Sequence, residues 1–122
     1  MTIVLNHTIV PASDKQRGAE FLAGLLGVEV SAPAGPFVPV RINEDLTLDF
    51  DDRSGGRNGH YAFLVDDATF DAALAFAQRS GSDWGSAPRT VDYQINHLAG
   101  GRGVYVLDPD GIAYELFTAV PE

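Results

Sequence analysis

Residues 3–10 alternate in the two-residue period of a strand. Ile3, Leu5, His7 and Ile9 share one face, and Val4, Asn6, Thr8 and Val10 share the other. Pro11 ends the run. Ser13-Asp14-Lys15-Gln16 then has the form of a capping box, Ser followed by Gln three positions later. Phe21, Leu22, Leu25 and Leu26 fall on one stripe of the helix this predicts, and Gly27 is its stop. Three short strands are expected next, near 28–32, 37–42 and 46–51, with Pro33, Gly35, Pro36, Asn43 and Asp45 supplying the turns.

The second half repeats this order. A strand at 60–65 leads to a helix at about 68–80, with Phe70, Ala73, Leu74 and Ala77 at i, i+3, i+4 and i+7, stopped by Gly81. An irregular stretch over 82–101 has strand-like residues at 91–95. A strand at 103–107, a turn at Asp108-Pro109-Asp110-Gly111 and a strand at 112–118 follow. Polar, glycine-rich Asp52–Gly59 reads as the joint. The chain is therefore expected to be one α+β domain, residues 1–122, of two βαβββ repeats at 1–52 and 58–120, whose sheets join into one concave mixed surface.

The repeats carry chemistry at matching places. His7 and His60 open the first strand of each half, 53 residues apart, and the helix-ending glycines lie 54 apart. A later strand in each half holds one acid, Asp49 in Leu46–Phe50 and Glu115 in Ile112–Phe117. A duplication tends to bring matching positions together, and two imidazoles with two carboxylates suit a divalent metal. Strand parity puts Asp49 on a polar face with Thr47 and Asp51. Glu115 is apolar on both sides, so its charge needs a partner, and a metal ion is one. His7, His60 and Glu115 form the core ligand set, with Asp49 a fourth candidate against which Asp51 competes. Zn, Mn, Fe, Co and Ni all suit such ligands.

Composition narrows the partners. The net charge of −9 leaves no basic face for nucleic acid. No apolar run approaches 18 residues, so no membrane span is expected. Cysteine is absent, which excludes disulfides and thiolate metal sites, and no signal-peptide form opens the chain; both fit a cytoplasmic protein. No glycine-rich segment has a nucleotide-loop form.

Asn6-His7-Thr8, Gly59-His60-Tyr61 and the closing Tyr105-Val106-Leu107-Asp108-Pro109-Asp110-Gly111-Ile112-Ala113-Tyr114-Glu115-Leu116 resemble the vicinal oxygen chelate superfamily over essentially the whole chain. That superfamily includes glyoxalase I, fosfomycin-resistance enzymes, bleomycin-resistance proteins and type I extradiol dioxygenases. The resemblance implies paired βαβββ modules, usually in a homodimer, and a metal held by His7, His60 and Glu115 in a cleft open to a small-molecule substrate. Asp49 stands where glyoxalase I has a further Glu, so the substitution favours a three-ligand site. Tyr105 is similar to a cleft-facing tyrosine of the fosfomycin-resistance enzymes; its other reading is a core aromatic.

The implied activity is metal-assisted isomerase, lyase or thiol-transferase chemistry, with Glu115 and Tyr105 at the reacting centre. A metal-free protein sequestering a cationic drug, as bleomycin-resistance proteins do, is the alternative that acidity suits. An extradiol dioxygenase is a third. His97, before a glycine-rich turn, is either a substrate contact or a solvated loop residue. Arg102 is either a bidentate clamp for a carboxylate or phosphonate, or one half of an ion pair among 17 acids. Trp84 either lines the cleft mouth or packs.

Overall fold

Two short stretches of alternating residues, each followed by an amphipathic helix, set the architecture. A computed structural model describes residues 1–53 and 58–120. The centre of the glycine-rich joint, 54–57, lies outside the described residues. The chain divides into two units after Arg57, each described by itself.

In the first unit, β1 (His7–Pro11) leads to α1 (Lys15–Leu26), then β2 (Val38–Arg41) and β3 (Thr47–Asp51). The sheet order is β1-β3-β2, with β1 parallel and β2 antiparallel to β3. Val10, Val38, Val40, Leu48 and Phe50 are buried on one face of the sheet, as are Leu22 and Leu25 of α1. Gly18 lets α1 approach closely: a Cβ there would meet the Phe50 ring at 2.9 Å. Burying a Leu or Phe side chain contributes about 1.5–3 kcal/mol, so this packing, rather than propensity, holds a 12-residue helix.

The second unit repeats the plan: β4 (His60–Leu64), α2 (Asp67–Ser80), β5 (Trp84–Gly85), β6 (Gly103–Leu107) and β7 (Ala113–Phe117). Its order is β4-β7-β6-β5, again mixed. Val104, Val106, Tyr114 and Leu116 are buried, as are Phe70, Ala73 and Ala77 of α2. The turn before β7 is closed by Asp108, whose Oδ1 accepts from the amides of Asp110 at 2.8 Å and Ile112 at 2.9 Å. The fold class matches the expectation of an α+β chain, with two α-helices and two mixed sheets among the described residues, while the first unit has one strand fewer than the expected βαβββ.

The differences have local causes. Residues 3–5 lie outside β1 and their apolar side chains are exposed. The N-cap of α1 is Asp14, not the Ser13 of a capping box, because one carboxylate oxygen takes the amides of both Gln16 and Arg17 at 3.1 Å. Leu22 and Leu25 are buried as expected, while Phe21 and Leu26 are only half-buried. The strand expected at 28–32 shrinks to one bridge, Val30 to Val40. The strand-like residues 91–95 form no strand. Asp92 takes the amides of Ser86 and Gln94 instead, and Tyr93 adopts φ 55°, which no strand allows.

Register shows how deep the duplication runs. His7 pairs with Thr47 and His60 with Ala113. Two residues on, Ile9 pairs with Asp49 and Ala62 with Glu115. Across the antiparallel neighbour, Asp49 faces Pro39 and Glu115 faces Tyr105. The Val30–Val40 bridge is then the counterpart of the Trp84–Val106 pair.

Candidate functional site

β4, β7 and β6 turn one face toward α2 and leave the other for chemistry. Side chains alternate along a strand, so His60 and Ala62 share the second face with Ala113, Glu115 and Phe117 of β7 and with Tyr105 of β6. On this face His60 Nε2 lies 2.9 Å from Glu115 Oε1. The imidazole keeps 45% of its side-chain exposure and the carboxylate 17%. Tyr105 completes the group, its ring edge-on to His60 with centroids 5.6 Å apart. Burial pushes the Tyr105 hydroxyl above the usual phenol range, and the neighbouring Glu115 carboxylate adds to the shift by charge and hydrogen bonding. Tyr105 is thus a proton holder at neutral pH.

The pair fits a metal in its donor chemistry. Imidazole nitrogen and carboxylate oxygen each bind such ions at about 2.1 Å. Among the described residues no group of three or more His, Asp or Glu side chains comes together. The second unit supplies two donors. His7 opens β1 of the first unit, exposed, with Nδ1 3.0 Å from Asn6 Oδ1. Asp49 is half-buried on β3, and its side chain makes no hydrogen bond or ion pair among the described residues. Its competitor Asp51 is committed: Arg53 binds both its oxygens at 2.9 Å and holds its carboxyl below the usual range.

Beside Glu115 a cavity of about 210 Å³ opens within the second unit. Ala62, Asn96, Leu98, Glu115, Phe117 and Ala119 line it. Asn96 is held in the wall by three contacts. Its Nδ2 donates to Ser86 O at 3.0 Å, its Oδ1 accepts from Leu98 N at 3.2 Å, and its backbone bridges to Gly103. A Cβ on Gly103 would meet Asn96 Oδ1 at 2.6 Å, so glycine is what admits the side chain. Leu98, 62% exposed, forms the rim on a single 3-10 turn, Leu98–Gly100. The sequence marks 82–101 as irregular but singles out neither Asn96 nor Leu98. Their position depends on tertiary contacts that leave no periodic trace.

The softer candidates take other places. His97 is exposed at the start of that turn, its Nδ1 3.2 Å from Gly101 O, and does not line the cavity. Arg102 has the ion-pair employment: Nη1 binds Asp71 at 2.7 Å, Nη2 binds Asp67 at 3.0 Å, and the guanidinium lies 4.4 Å from the Phe70 ring centroid. Those carboxylates raise its pKa further. Trp84 packs edge-on against Tyr93 with centroids 5.5 Å apart.

Neither a protein-family model nor a curated protein sequence matches the chain. Solved structures do. The chain is 44% identical to the structure titled Oxidase ChaP-H2, over 99% of this chain and 97% of that one, with a TM-score of 0.91. Oxidase ChaP-H1 gives 43% identity, 98% of each chain and a TM-score of 0.90. A glyoxalase / bleomycin resistance protein from Catenulispora acidiphila shares the fold at 21% identity, over 97% of this chain and all of that one, with a TM-score of 0.71. Fold and relatives define a glyoxalase-type α+β protein. The chain belongs to the vicinal oxygen chelate superfamily.

Proposed function

We propose that this protein is a metal-dependent oxidase that uses dioxygen on a small hydroxylated molecule. The observation that carries this reading is the 2.9 Å approach of His60 Nε2 to Glu115 Oε1 on the open face of the second sheet. His7 is the third donor in this reading, supported by its matching place on the first strand of its unit. Two histidines and one carboxylate are the donor set of non-haem iron(II) oxygen enzymes. Two relatives above 40% identity over nearly the whole chain are titled oxidases. This moves oxygen chemistry ahead of the isomerase, lyase and thiol-transferase activities first expected.

When bound, the metal supplies Lewis acidity and a one-electron couple. The chain's own residues do the rest. Glu115 contributes negative charge at the floor of the cavity. The edge of Tyr105 steadies the His60 ring. The Tyr105 hydroxyl, kept protonated, donates a hydrogen bond to Glu115 or to a substrate oxygen. Apolar residues of the cavity wall surround the substrate's ring body. By family resemblance the protein works as a homodimer.

A second reading keeps the protein free of metal and binding a cationic drug. The His60–Glu115 contact favours it in one respect, since it is a complete hydrogen bond by itself. One experiment separates the two. Protein purified without a histidine tag is loaded anaerobically with Fe(II) or Co(II), and metal is counted by mass spectrometry. About one ion per chain, with oxygen uptake on adding naphthols or catechols to the Fe(II) form, is expected. No retained metal in wild type would sink the oxidase and leave sequestration.

A further inference from the structure

The cavity beside Glu115 carries information about what enters it. Four of its six lining residues, Ala62, Leu98, Phe117 and Ala119, are apolar. Of the two polar ones, Asn96 spends its side chain on Ser86 O and Leu98 N. The other, Glu115, is an acid whose Oε1 is 2.9 Å from His60 Nε2.

Charge around the cavity points the same way. The second unit has no lysine and, among its described residues, three arginines against eight carboxylates. Each arginine is engaged: Arg102 with Asp67 and Asp71, Arg89 with Gly111 O at 3.2 Å, and Arg79 with the Phe76 ring, 6.0 Å from its centroid. None lines the cavity. In the metal-free protein an anion entering it would lose hydration, meet no lysine or arginine of this unit in the lining and face Glu115. Size sets the last bound. An apolar cavity of about 150 Å³ holds benzene, so 210 Å³ with an open rim takes one or two rings.

We infer that this cavity receives the ring body of an uncharged, hydrophobic substrate of one or two rings, with its oxygen turned toward Glu115, and discriminates against phosphonates and acidic peptide thiols. This rests on the proposed function for the identity of the reacting end. The cavity's preference for a ring body comes from Ala62, Leu98, Phe117 and Ala119, and its preference against anions from Glu115, with or without a metal-dependent reaction.

The test therefore uses chelator-treated, metal-free protein and reads binding rather than turnover. Titration calorimetry compares 2-naphthol, phenylphosphonate and S-methylglutathione. Naphthol is expected to bind at least about tenfold more tightly than either anion, and Leu98→Asp at the exposed rim and Ala62→Trp within the cavity are each expected to weaken it about tenfold or more. Circular dichroism checks that both variants fold; Leu98, being mostly exposed, is the safer of the two. Tighter binding of either anion overturns the inference. So does naphthol binding that neither variant changes, or none at millimolar concentration. Naphthol binding without oxygen uptake in the Fe(II) form would sink the oxidase and leave this inference standing.

Discussion

Asp49 and Glu115 hold the same register in their respective sheets, each opposite the residue two beyond its unit's first-strand histidine. Their surroundings differ. Glu115 meets a histidine at 2.9 Å and borders a cavity, whereas the Asp49 side chain makes no polar contact among the described residues and is one methylene shorter. Glu115→Ala and His60→Ala are therefore expected to abolish stoichiometric metal, and Asp49→Ala to weaken it less. Elemental analysis beside circular dichroism checks this. Greater loss in the Asp49 variant would mean the ligand set is misassigned.

Glycine substitutions should separate conformational strain from collision. Gly27 and Gly81 end their helices at φ 71° and 69°, and a Cβ at either would meet nothing within 4 Å. Only the left-handed backbone opposes alanine there, at about 1–2 kcal/mol. At Gly85 a Cβ would run into the backbone carbonyl of Thr90, which cannot rotate aside. Gly85→Ala is expected to cost about 3 kcal/mol or more. Urea unfolding should give near-equal small losses for the first two and a larger one for the third; equal losses in all three would refute the collision.

The cap of α2 makes a prediction about acid. Asp66 accepts from Thr69 N at 2.8 Å, and hydrogen bonds from the Thr69 side chain and amide hold its carboxyl below its ordinary value of 3.8. A depressed acid stabilises the fold fully above the unfolded value and ceases to do so as pH falls through the folded one. Asp66→Asn retains an acceptor but does not titrate. Its unfolding midpoint should fall below wild type at neutral pH, with the gap closing in the acid range below 3.8. A gap independent of pH would show that charge plays no part in the cap.

Arg102 offers a contrast between support and recognition. Its guanidinium ties the start of β6 to the first turns of α2 through Asp67 and Asp71, over the Phe70 ring. Arg102→Met is expected to lower the unfolding midpoint and leave metal content and naphthol affinity unchanged. A loss of affinity for phenylphosphonate in that variant would restore the anion-clamp reading.

What the chain disclosed in advance was whatever repeats. Paired histidines and helix-ending glycines recur at nearly constant spacing, the strand acids recur in the same order, and the register of His60, Ala62 and Glu115 follows from that order. Features decided by competition between neighbours were harder to read. Ser13 and Asp14 are both good caps, and the carboxylate that reaches two amides prevails. Val91–Ile95 has a strand's composition, but Asp92 draws off the amides a strand would need. The cavity was least legible, since Asn96, Leu98 and Ala119 meet only through the fold.

The matched bridges expose an asymmetry. From Val30 to its partner Val40 is ten positions, while from Trp84 to its partner Val106 is 22. The longer excursion supplies Asn96 and Leu98. One unit makes this connection short, and the other makes it with a longer segment that borders the cavity. The cavity wall is thereby split, with Ala62, Glu115 and Phe117 on the strands and Asn96 and Leu98 on the connection. Changes confined to that connection would recut one side of the wall and leave both sheets as they are.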